Sequence, residues 1–466
     1  MIETVRDALG DARAWVVGGA VRDRLLGRRG ADEDIDVVLE GDARPAARRI
    51  ARAAGGAAFE LSDVFGGWRV VGPGQAWQVD LQPLQGGTLD ADLAARDLTV
   101  NAMAEPLHGG EIVDPHGGRA DLAARRLRMV SPGAFDADPL RTLRLARLAI
   151  DLGFEVDPAT AAAARDHAGG LERVSPERIF AELKRVVTSD AALAGLALMD
   201  DLGLVPVVLP ELDALRGVEQ NPYHHRDVLG HTLEVLEQAI ALERDPEATL
   251  GDELAGPVHA LLSEPLADGL TRGGGLRFGA LLHDAAKPAT RVELPDGRIG
   301  FPRHDVDGAA LARATLTRLR ASERLRAHVA DLTRHHLRLG FLVHEAPLDR
   351  RTLYRYLRDT APVAADVTLL SVADRLATRG RKADQAIARH VALAREVLPA
   401  ALEQRTTAPP PPLVRGDELA RDLGIEPGPR LGALLEAIAE ARYAGEVATP
   451  EAAVALARDL LGAGER

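Results

Sequence analysis

The sequence predicts an α+β fold in which a small β-sheet unit comes first and an almost entirely helical remainder follows. Two observations predict it. Short β-like runs alternate with glycine loops over residues 1 to about 125, and apolar residues recur with helical spacing from about Asp138 onward. The chain has 466 residues, 46% of them hydrophobic, which is enough for about three domains of the usual size.

The first unit is predicted from four apolar runs and one amphipathic helix. The runs AWVV, IDVVL, WRVV and WQVDL are rich in the β-branched and aromatic residues that favour strands, and residues 43–54 have helical spacing. In the second half, proline and glycine in GLVPVVLPEL break the helical pattern. Two low-complexity joints are predicted, the glycine-rich TRGGGL near 271–276 and TTAPPPPL near 407–413, where a proline run cannot be helical.

The composition excludes several classes of protein. Without cysteine, the chain forms neither disulfides nor thiolate metal sites. The N-terminal MIETVRDALG has no signal pattern, and no run of about 18 apolar residues is present to span a membrane, so we expect a cytoplasmic protein. The net charge of −13 argues against a surface coated for polyanions but leaves a local basic groove open.

The stretch VVGGAVRDRLLGRRGADEDID combines features of a phosphate site and a metal site. Gly18 and Gly19 let the backbone approach a ligand at the start of a helix, where unpaired N–H groups attract phosphate, and Arg22 adds positive charge. Asp34 and Asp36 point to the same side of the next strand and repel each other unless a cation lies between them. A solvated acidic turn is the commoner fate of such a run, but it does not explain the glycines. A triphosphate cradle beside a carboxylate pair for Mg²⁺ is what nucleotidyl transfer requires.

This stretch resembles the first motif of the class II tRNA nucleotidyltransferase and bacterial poly(A) polymerase family. The resemblance continues, in the family's order, through ARDLTVNAMA (95–104), VDPHGGRADLAARRLR (113–128), DPLRTLRLARLA (138–149) and SPERIFAELKRV (175–186). It implies a β-sheet nucleotidyltransferase head with Asp34 and Asp36 as catalytic metal ligands, a helical neck, and helical body and tail regions that hold tRNA.

The stretch DPLRTLRLARLA places three arginines on one helix face. Arg141, Arg144 and Arg147 follow each other at three-residue steps and are expected to bind the nucleotide, although a solvated arginine face explains that spacing about equally well. The resemblance implies that Asp138 and Arg141 select the incoming base. Cytosine and adenine both present an amino donor beside a ring-nitrogen acceptor, which a carboxylate and a guanidinium match, whereas uracil and guanine invert that pattern.

The sequence predicts the roles of the remaining head residues less specifically. Arg96 and Asp97 are expected to contact the sugar and triphosphate, and Asn101 to shape the turn or cap it. Asp80 is either a third carboxylate near the metal or part of a structural hydrogen bond. Arg178, after a Ser-Pro helix start, is expected to be architectural. Two positions depart from the family pattern, since Ala95 replaces a usual arginine and Ala137 a usual glutamate.

The second half resembles the HD metal-dependent phosphohydrolase domain. His231, the pair His283-Asp284, and Asp374 occur in that order within helical sequence, and a lone buried histidine does not account for the ordered set. Imidazole and carboxylate ligands without thiolate suit a divalent transition metal or Mg²⁺.

Additional histidines resemble the extra ligands of HD proteins that hold two metals. These are His304 and His335, the latter in the pair His335-His336, with histidine-rich surface loops as the alternative. The lead-in NPYHH (221–225) resembles that of fused nucleotidyltransferases, where Tyr223 is expected to pack against the first helix.

Together these patterns predict four regions: a nucleotidyltransferase head (1–125), a helical neck and body (126–215), an HD domain (216–400), and a proline linker with a helical tail (401–466). The predicted activity is template-independent addition of C and A to the tRNA 3′ end from CTP and ATP, with a second metal-dependent phosphohydrolase site. An A-only or CC-only enzyme and a poly(A) polymerase stay open as alternatives. So does an HD phosphohydrolase whose head only binds RNA.

Overall fold

The computed structural model describes residues 1–28, 34–62, 66–221, 224–380 and 383–463. The chain forms two compact units, Met1–Val208 and Leu209–Arg466. Asp32 and Glu33 of the acidic run, and Tyr223, lie outside the described residues. Among the described residues, no helix combines the length and the apolar character needed to cross a membrane.

The first unit is built on a six-stranded sheet in the described part of the chain. Its strands are β1 (Ala14–Val17), β2 (Asp34–Leu39), β3 (Ala57–Ser62), β4 (Gly67–Val71), β5 (Gln78–Pro83) and β6 (Ala104–Pro106). The order is β3-β4-β5-β2-β1-β6, with β2 and β5 parallel and the other pairs antiparallel. The four predicted runs form β1, β2, β4 and β5. The sequence does not predict β3 and β6, which are poor in β-branched residues.

The helices of this unit follow and surround the sheet. They are α1 (Ile2–Leu9), α2 (Gly19–Leu25), α3 (Ala43–Ala54), α4 (Leu89–Ala94), α5 (Gly118–Ala123), α6 (Ala134–Ala137), α7 (Leu140–Leu152), α8 (Pro158–Asp166), α9 (Pro176–Thr188), α10 (Ala192–Asp201) and α11 (Val205–Val208), with the short strand pair β7 (Arg126–Leu127) and β8 (Glu155–Val156). The amphipathic helix α3 covers one face of the sheet, burying Ala46, Ala47 and Ile50 and stacking Arg44 and Arg48 on Trp68. Since strand side chains alternate, the other face of the sheet carries Asp34 and Asp36.

The second unit is almost entirely helical. Its elements are α12 (Pro210–Asp213), α13 (Val228–Arg244), α14 (Pro246–Leu250), α15 (Asp252–Ser263), β9 (Pro265–Ala267), β10 (Leu270–Thr271), α16 (Arg272–Leu282), α17 (Lys287–Thr290), β11 (Val292–Glu293), β12 (Ile299–Gly300), α18 (His304–Arg318), α19 (Glu323–His335), α20 (Arg338–Leu342), α21 (Arg350–Asp359), α22 (Ala364–Ala377), α23 (Ala383–Thr406), α24 (Gly416–Leu423), α25 (Pro429–Ala444) and α26 (Pro450–Ala463). The proline run is not helical, as predicted. After it, α24 to α26 share a small apolar core of their own.

The glycine-rich stretch near 271–276 is the first turn of a buried helix, so its prediction as a joint is wrong. Gly273, Gly274 and Gly275 lie in α16, with Thr271 as the N-cap. A Cβ atom on Gly273 would lie 2.6 Å from Glu243 Oε1, and one on Gly275 would lie 2.7 Å from a Leu266 methyl carbon. Neighbouring side chains therefore occupy the space that side chains at positions 273 and 275 would need.

Candidate active sites

The turn after β1 brings the backbone against two charged groups. Gly18 has a φ of +71°, a conformation that favours glycine, and a Cβ atom there would lie 3.1 Å from Asp36 Oδ2 and 3.2 Å from Arg96 Nη1. Any side chain at this position would be strained and would press on both groups. The glycine therefore allows the strand end, the carboxylate and the guanidinium to meet in one place.

The open face of the sheet carries a row of carboxylates. The parallel register of β2 and β5 places Asp36 beside Asp80. Arg69 donates from Nε and Nη2 to the two oxygens of Asp80, both at 2.7 Å, and Gln78 Nε2 donates to Asp34 Oδ1 at 2.9 Å. Asp80 is thus engaged by Arg69, which fits its interpretation as part of a structural hydrogen bond. Asp34 and Asp36 are exposed on this face.

The carboxylates of this row perturb one another. The surrounding protein removes water from Asp36 and raises its pKa to about 6, an effect that Arg96 opposes and that Asp80 and Asp34 increase. The residue remains exposed towards the cavity, so a ligand can reach its carboxylate. A cation relieves the repulsion between such neighbours, and carboxylate oxygens are ligands that suit Mg²⁺. The donor set therefore fits the predicted ion.

A cavity of about 200 Å³ opens beside Asp36. It brings together eight of the residues predicted from the sequence. These are Gly18, Asp36, Arg96, Asp97, Asn101, Asp138, Arg141 and Arg144. Four arginines line its wall together with two carboxylates besides Asp36, a combination that can bind a nucleotide triphosphate and its base.

Asp97 organises one side of this cavity. It accepts hydrogen bonds from the Leu98 backbone N–H at 2.7 Å and from Asn101 Nδ2 at 3.0 Å, and it forms an ion pair with Arg144 Nε at 2.8 Å. Burial opposes its charge, but the Arg144 guanidinium and these hydrogen bonds outweigh burial and hold the pKa of Asp97 below its usual range. The carboxylate is thus ionised and fixes the position of Arg144 in the wall.

Asp138 and Arg141 also line the cavity, and both are held by protein partners. Arg178 Nη2 donates to Asp138 Oδ2 at 2.6 Å, and the Leu140 N–H donates to Asp138 Oδ1 at 3.2 Å. Arg141 donates to the carbonyl of Ala95 at 2.7 Å and to a second carbonyl at 3.0 Å. Arg178 also lines the cavity, a placement that the sequence does not predict because the motif around it is explained by a helix start.

Gly19, Arg22, Asp34 and Arg147 do not line this cavity. Arg22 is buried, donating from Nη1 to Asn101 Oδ1 at 2.6 Å and from Nε to Asp23 at 2.9 Å. It therefore supports Asn101 and the turn rather than facing a ligand, which corrects its expectation as a phosphate contact.

The expectation for Arg147 also needs correction. This residue is 4% exposed and forms ion pairs with Asp151 at 2.7 Å and with Glu182. In a helix of 3.6 residues per turn, each step of three residues rotates the side chain by about 300°, which is less than a full turn. The shortfall adds up over the two steps from Arg141 to Arg147, so Arg147 points away from the cavity. Arg147 thus links α7 to α9 inside the unit.

We expect Arg147→Ala to lower the free energy of unfolding by about 3–5 kcal/mol, because it leaves Glu182 without this buried partner and Asp151 with only the exposed Arg185. Urea unfolding measures the change. Arg185→Ala is the matched control, since Arg185 pairs with the same Asp151 but is 58% exposed, and should cost about 0–1 kcal/mol. A folded Arg147→Ala protein with a raised KM for nucleotide would instead support the nucleotide contact.

The second unit gathers histidines and aspartates from five helices. His231 lies in α13, His283 and Asp284 follow α16, His304 begins α18, His336 follows α19, and Asp374 lies in α22. Within this unit they form two groups, each with ligand atoms within 4.8 Å of one another. One group is His231, His283 and Asp374, and the other is Asp284, His304 and His336.

Three of these histidines are oriented in the same way. The Nδ1 atoms of His283, His304 and His336 lie 2.7 to 2.8 Å from the backbone carbonyl three residues earlier. A carbonyl only accepts, so each Nδ1 carries the proton and each Nε2 keeps a free lone pair. Fixing the ring through its other nitrogen is the usual arrangement of metal-binding histidines.

The centre of this cluster contains polar atoms that fit a metal. Nε2 of His231 and Nε2 of His283 are buried and make no hydrogen bond, and the charge of Asp284 Oδ2 is balanced by Lys287 Nζ at 2.7 Å. His231 Nε2 lies 3.0 Å from Asp374 Oδ1, and His304 Nε2 lies 3.4 Å from Asp284 Oδ1. Buried polar atoms without partners are costly, and cations shared among them remove that cost.

His335 is predicted to be a metal ligand, but it belongs to neither group. Its neighbour His336 belongs to the second group. His335 ends α19 half-buried, whereas His336 is buried with Nε2 4.0 Å from Asp284 Oδ1. Adjacent residues of a helix point about 100° apart, so only one of the pair can face the cluster, and the sequence does not show which. The prediction is corrected to His336.

We expect His336→Gln to weaken binding of Mn²⁺ to the purified protein at least about tenfold, as for loss of groups that support a metal site. Titration calorimetry and metal content after dialysis measure this. His335→Gln is the matched control, since the neighbouring histidine lies outside both groups, and it should bind Mn²⁺ as the original protein does. Equal losses in both variants would contradict the placement of His336.

A cavity of about 500 Å³ opens onto the second group and includes two histidines that the sequence does not predict as part of the site. His224 packs edge-on against His231, and burial together with the charge of Lys287 lowers the pKa of His224 to about 3. His390 lies 3.1 Å from Ser371 Oγ, and burial lowers its pKa to about 4. Both histidines are therefore neutral near pH 7. His224 belongs to the lead-in NPYHH, whereas His390 is a single histidine in a helix and no pattern predicts its placement.

Comparison with protein families gives three matches along the chain. Residues 72–128 match the family described as the Poly A polymerase head domain, and residues 153–216 match a probable RNA- and SrmB-binding site of polymerase A. Residues 228–379 match the HD domain.

Known proteins resemble the chain over most of its length. It is 39% identical over 446 residues to an A-adding tRNA nucleotidyltransferase of Deinococcus radiodurans, with 94% of each chain covered. It is 36% identical to a CC-adding tRNA nucleotidyltransferase of Thermus thermophilus, over 94% of this chain and 92% of the relative. A multifunctional CCA protein of Methylococcus capsulatus is 35% identical, over 70% and 72%.

Solved structures show the same fold at lower identity. A CCA-adding enzyme in complex with CTP matches with a TM-score of 0.62 at 20% identity, covering 100% of this chain and 94% of the other. The Thermotoga maritima CCA-adding enzyme in complex with tRNA matches with a TM-score of 0.58 at 20% identity, covering 99% and 94%.

Proposed function

Because the chain belongs to the tRNA nucleotidyltransferase family, we propose that it adds C and A to the 3′ end of tRNA, taking them from CTP and ATP without a nucleic-acid template. The observation that carries the proposal is the position of Asp36, which belongs both to the open carboxylate face and to the wall of the arginine-lined cavity. In the reaction the RNA 3′-oxygen bonds to the α-phosphorus, the bond to pyrophosphate breaks, and the hydroxyl proton passes to solvent.

Asp34 and Asp36 would hold Mg²⁺, which when bound supplies neutralisation of the charge on the transferring phosphate. The protein's own contribution is to bind and orient. Arg96 and Arg144 supply positive charge for the phosphates, with Asp97 fixing Arg144 in place. Gly18 lets the backbone approach that same region.

Asp138 and Arg141 are proposed to select the base. Asp138 accepts a hydrogen bond from the amino group of cytosine or adenine, and Arg141 donates to the adjacent ring nitrogen. Both are held by protein partners, Arg178 for Asp138 and two backbone carbonyls for Arg141, so their geometry is set before the nucleotide arrives. Selection then needs no template, because the protein itself presents the complementary edge.

We expect Arg141→Ala to reduce discrimination between CTP and UTP at least about tenfold, because a lost hydrogen bond to a charged donor costs about 1.5–3 kcal/mol. The measurement is kcat/KM for each nucleotide with the same tRNA. Arg165→Ala is a matched control, since that exposed arginine also binds a backbone carbonyl, of Asp201 at 2.6 Å, but lies outside the cavity. Equal slowing of all nucleotides by Arg141→Ala would make Arg141 a phosphate contact instead.

The second candidate function is addition of only A or only CC to the tRNA, which is the activity of several similar proteins. Relatives that match over more than nine-tenths of this chain include one A-adding and two CC-adding enzymes. One experiment separates the candidates: tRNA transcripts ending before the CCA, after C, and after CC are incubated with CTP, ATP or both, and their 3′ ends are sequenced. Addition of A only to the transcript ending in CC would replace the main proposal with an A-adding activity.

For the second unit we propose a metal-dependent phosphohydrolase. The two ligand groups would hold a divalent transition metal or Mg²⁺, which when bound supplies Lewis acidity and a water nucleophile at neutral pH. Lys287 Nζ lies 2.7 Å from Asp284 Oδ2 and 2.6 Å from Gln220 Oε1, so it holds the carboxylate in position at the cavity wall. A phosphate ester that enters the cavity meets these groups and Lys287 together.

A further inference from the structure

A second cavity opens on the carboxylate face of the sheet. Its volume is about 620 Å³, and its wall includes Asp34, Phe59, Arg69, Trp77 and Gln78. The strand register explains how they meet: Phe59 of β3 lies opposite Arg69 of β4, which lies opposite Asp80 of β5. None of the activities assigned above uses Phe59 or Trp77.

The two cavities of this unit share the carboxylate pair. Asp36 lines the arginine-walled cavity, and Asp34, two residues earlier on the same side of β2, lines the second one. Phosphoryl transfer needs the attacking and leaving oxygens roughly in line on opposite sides of the phosphorus. If the triphosphate occupies the arginine side, the attacking hydroxyl has to arrive from the side of Asp34.

The walls of the second cavity suit bases better than phosphates. Phe59 is 47% exposed, although large apolar side chains are usually buried. Trp77 packs against Gly72, where a Cβ atom would lie only 2.4 Å from the indole, and its carbonyl accepts a hydrogen bond from the Gly72 N–H at 2.9 Å. The aromatic side chain of Trp77 is thus held rigidly. The cation of this wall, Arg69, is already paired with Asp80.

We propose that this cavity binds the single-stranded 3′ end of the acceptor RNA, with its last bases stacked on Phe59 and Trp77. The proposal rests on the proposed nucleotidyl transfer. From Phe59 to Asp36 the sheet spans three strand spacings, roughly 14 Å, which leaves room for more than one stacked nucleotide at roughly 3.4 Å each. Aromatic faces accept every base, so the same subsite serves an end whose last base changes as nucleotides are added.

The test separates stacking from nucleotide binding. Phe59→Ala is expected to raise KM for the tRNA acceptor about 5- to 150-fold, the effect of losing one stacked base, and to leave KM for CTP and ATP unchanged. Phe59→Trp should retain the original KM, and Phe59→Leu, which is apolar but has no ring, should behave like Phe59→Ala. Glu60→Gln is the control on the same strand, since its side chain points to the other face.

A binding measurement supports the kinetics. A tRNA acceptor stem with 2-aminopurine as its last base should lose fluorescence when it binds the original protein and lose much less with Phe59→Ala. If the original protein adds nucleotides but Phe59→Ala keeps the same KM for RNA, or raises KM for RNA and nucleotide alike, the subsite is overturned and the proposed function stands. If Phe59→Leu matches the original protein, stacking is overturned. If the original protein adds no nucleotide to any tRNA end, the proposed function fails and the subsite with it.

Discussion

Asp34→Ala and Asp36→Ala are each expected to lower kcat for nucleotide addition on the order of a thousandfold or more, while the protein stays folded. Each substitution removes a carboxylate that would hold Mg²⁺, and groups that stabilise charge in the transition state have effects of that order. Single-turnover addition to a tRNA lacking its 3′ end measures the change. Thermal unfolding of both variants, followed by circular dichroism, shows whether the fold is retained.

The electrostatics of Asp36 explain why its loss should not unfold the protein. Its pKa is raised from 3.8 to about 6, first because the surrounding protein removes water from the carboxylate, against the effect of Arg96 and with added repulsion from Asp80 and Asp34. A raised carboxyl pKa contributes stability that is present below pH 3.8 and is lost as the pH rises through about 6. Above that range the ionised group opposes folding, so Asp36→Ala should unfold at the same temperature as the original protein, or a higher one, at pH 8.

The matched control is Asp90→Ala, which removes an exposed carboxylate from the same unit at the first turn of α4. Its rate of nucleotide addition should stay within about twofold of the original, as expected for a surface substitution away from the site. Full activity in both Asp34→Ala and Asp36→Ala would contradict the assignment of the carboxylate pair. Unfolding of either variant would show instead that the pair supports the sheet.

The sequence predicts most of the first site because its residues occupy fixed positions within local elements. Gly18, Asp34 and Asp36 are each placed by a strand or by the turn that follows it, and period-two alternation gives the direction of each carboxylate. Asp138 and Arg141 are placed in the same way by the start of α7. Local geometry is enough wherever neighbouring residues act together.

What the sequence does not predict depends on packing between elements. Arg147 continues the spacing of Arg141 and Arg144 but meets two carboxylates, one of them on α9, and no pattern within α7 shows that partner. Arg178 likewise faces Asp138 only because α9 packs against α7. Each of these positions is decided by a contact between residues that are distant in the chain.

The histidine pair and the glycine-rich stretch show the same limit in the second unit. His335 and His336 are chemically identical neighbours, and only the rotation of α19 against the other helices brings His336 to Asp284. The glycines of α16 look like a flexible joint by composition, yet Glu243 and Leu266 lie where their side chains would be. In both cases the decisive information is how closely another helix or strand approaches.

Asp284→Ala is expected to abolish metal-dependent hydrolysis of a phosphate ester, such as a 2′,3′-cyclic phosphate, and to leave nucleotide addition nearly unchanged. Asp284 is the residue on which the cluster converges, with oxygens 3.1 Å from His283 Nε2, 3.4 Å from His304 Nε2 and 3.8 Å from His231 Nε2. Burial opposes its ionisation, but His283 and Lys287 hold the pKa of Asp284 well below its usual range, so it stays an anion. Removing it takes away the charge that the histidines and any cation share.

Asp284→Ala should also lower the stability of the folded protein, apart from its effect on hydrolysis. Asp284→Ala leaves Lys287 buried without its carboxylate partner, and breaking a buried pair in this way costs about 3–5 kcal/mol. Asp284→Asn keeps the shape and a hydrogen-bond acceptor for Lys287 while removing the charge, so it should fold better than the alanine variant and still be inactive in hydrolysis. Bound Mn²⁺ after dialysis should fall in both variants.

Nucleotide addition in the same preparations decides whether the two activities are independent. Transfer to an RNA hydroxyl must exclude water, whereas hydrolysis requires water, and one pocket that did both would destroy its own nucleotide substrate. The carboxylate face of the first unit and the histidine cluster of the second accordingly share no residue. We therefore expect Asp284→Asn to add nucleotides at the original rate. Loss of addition in a folded Asp284→Asn protein would mean that the histidine cluster supports the transferase, and retained hydrolysis would show that Asp284 is not a ligand.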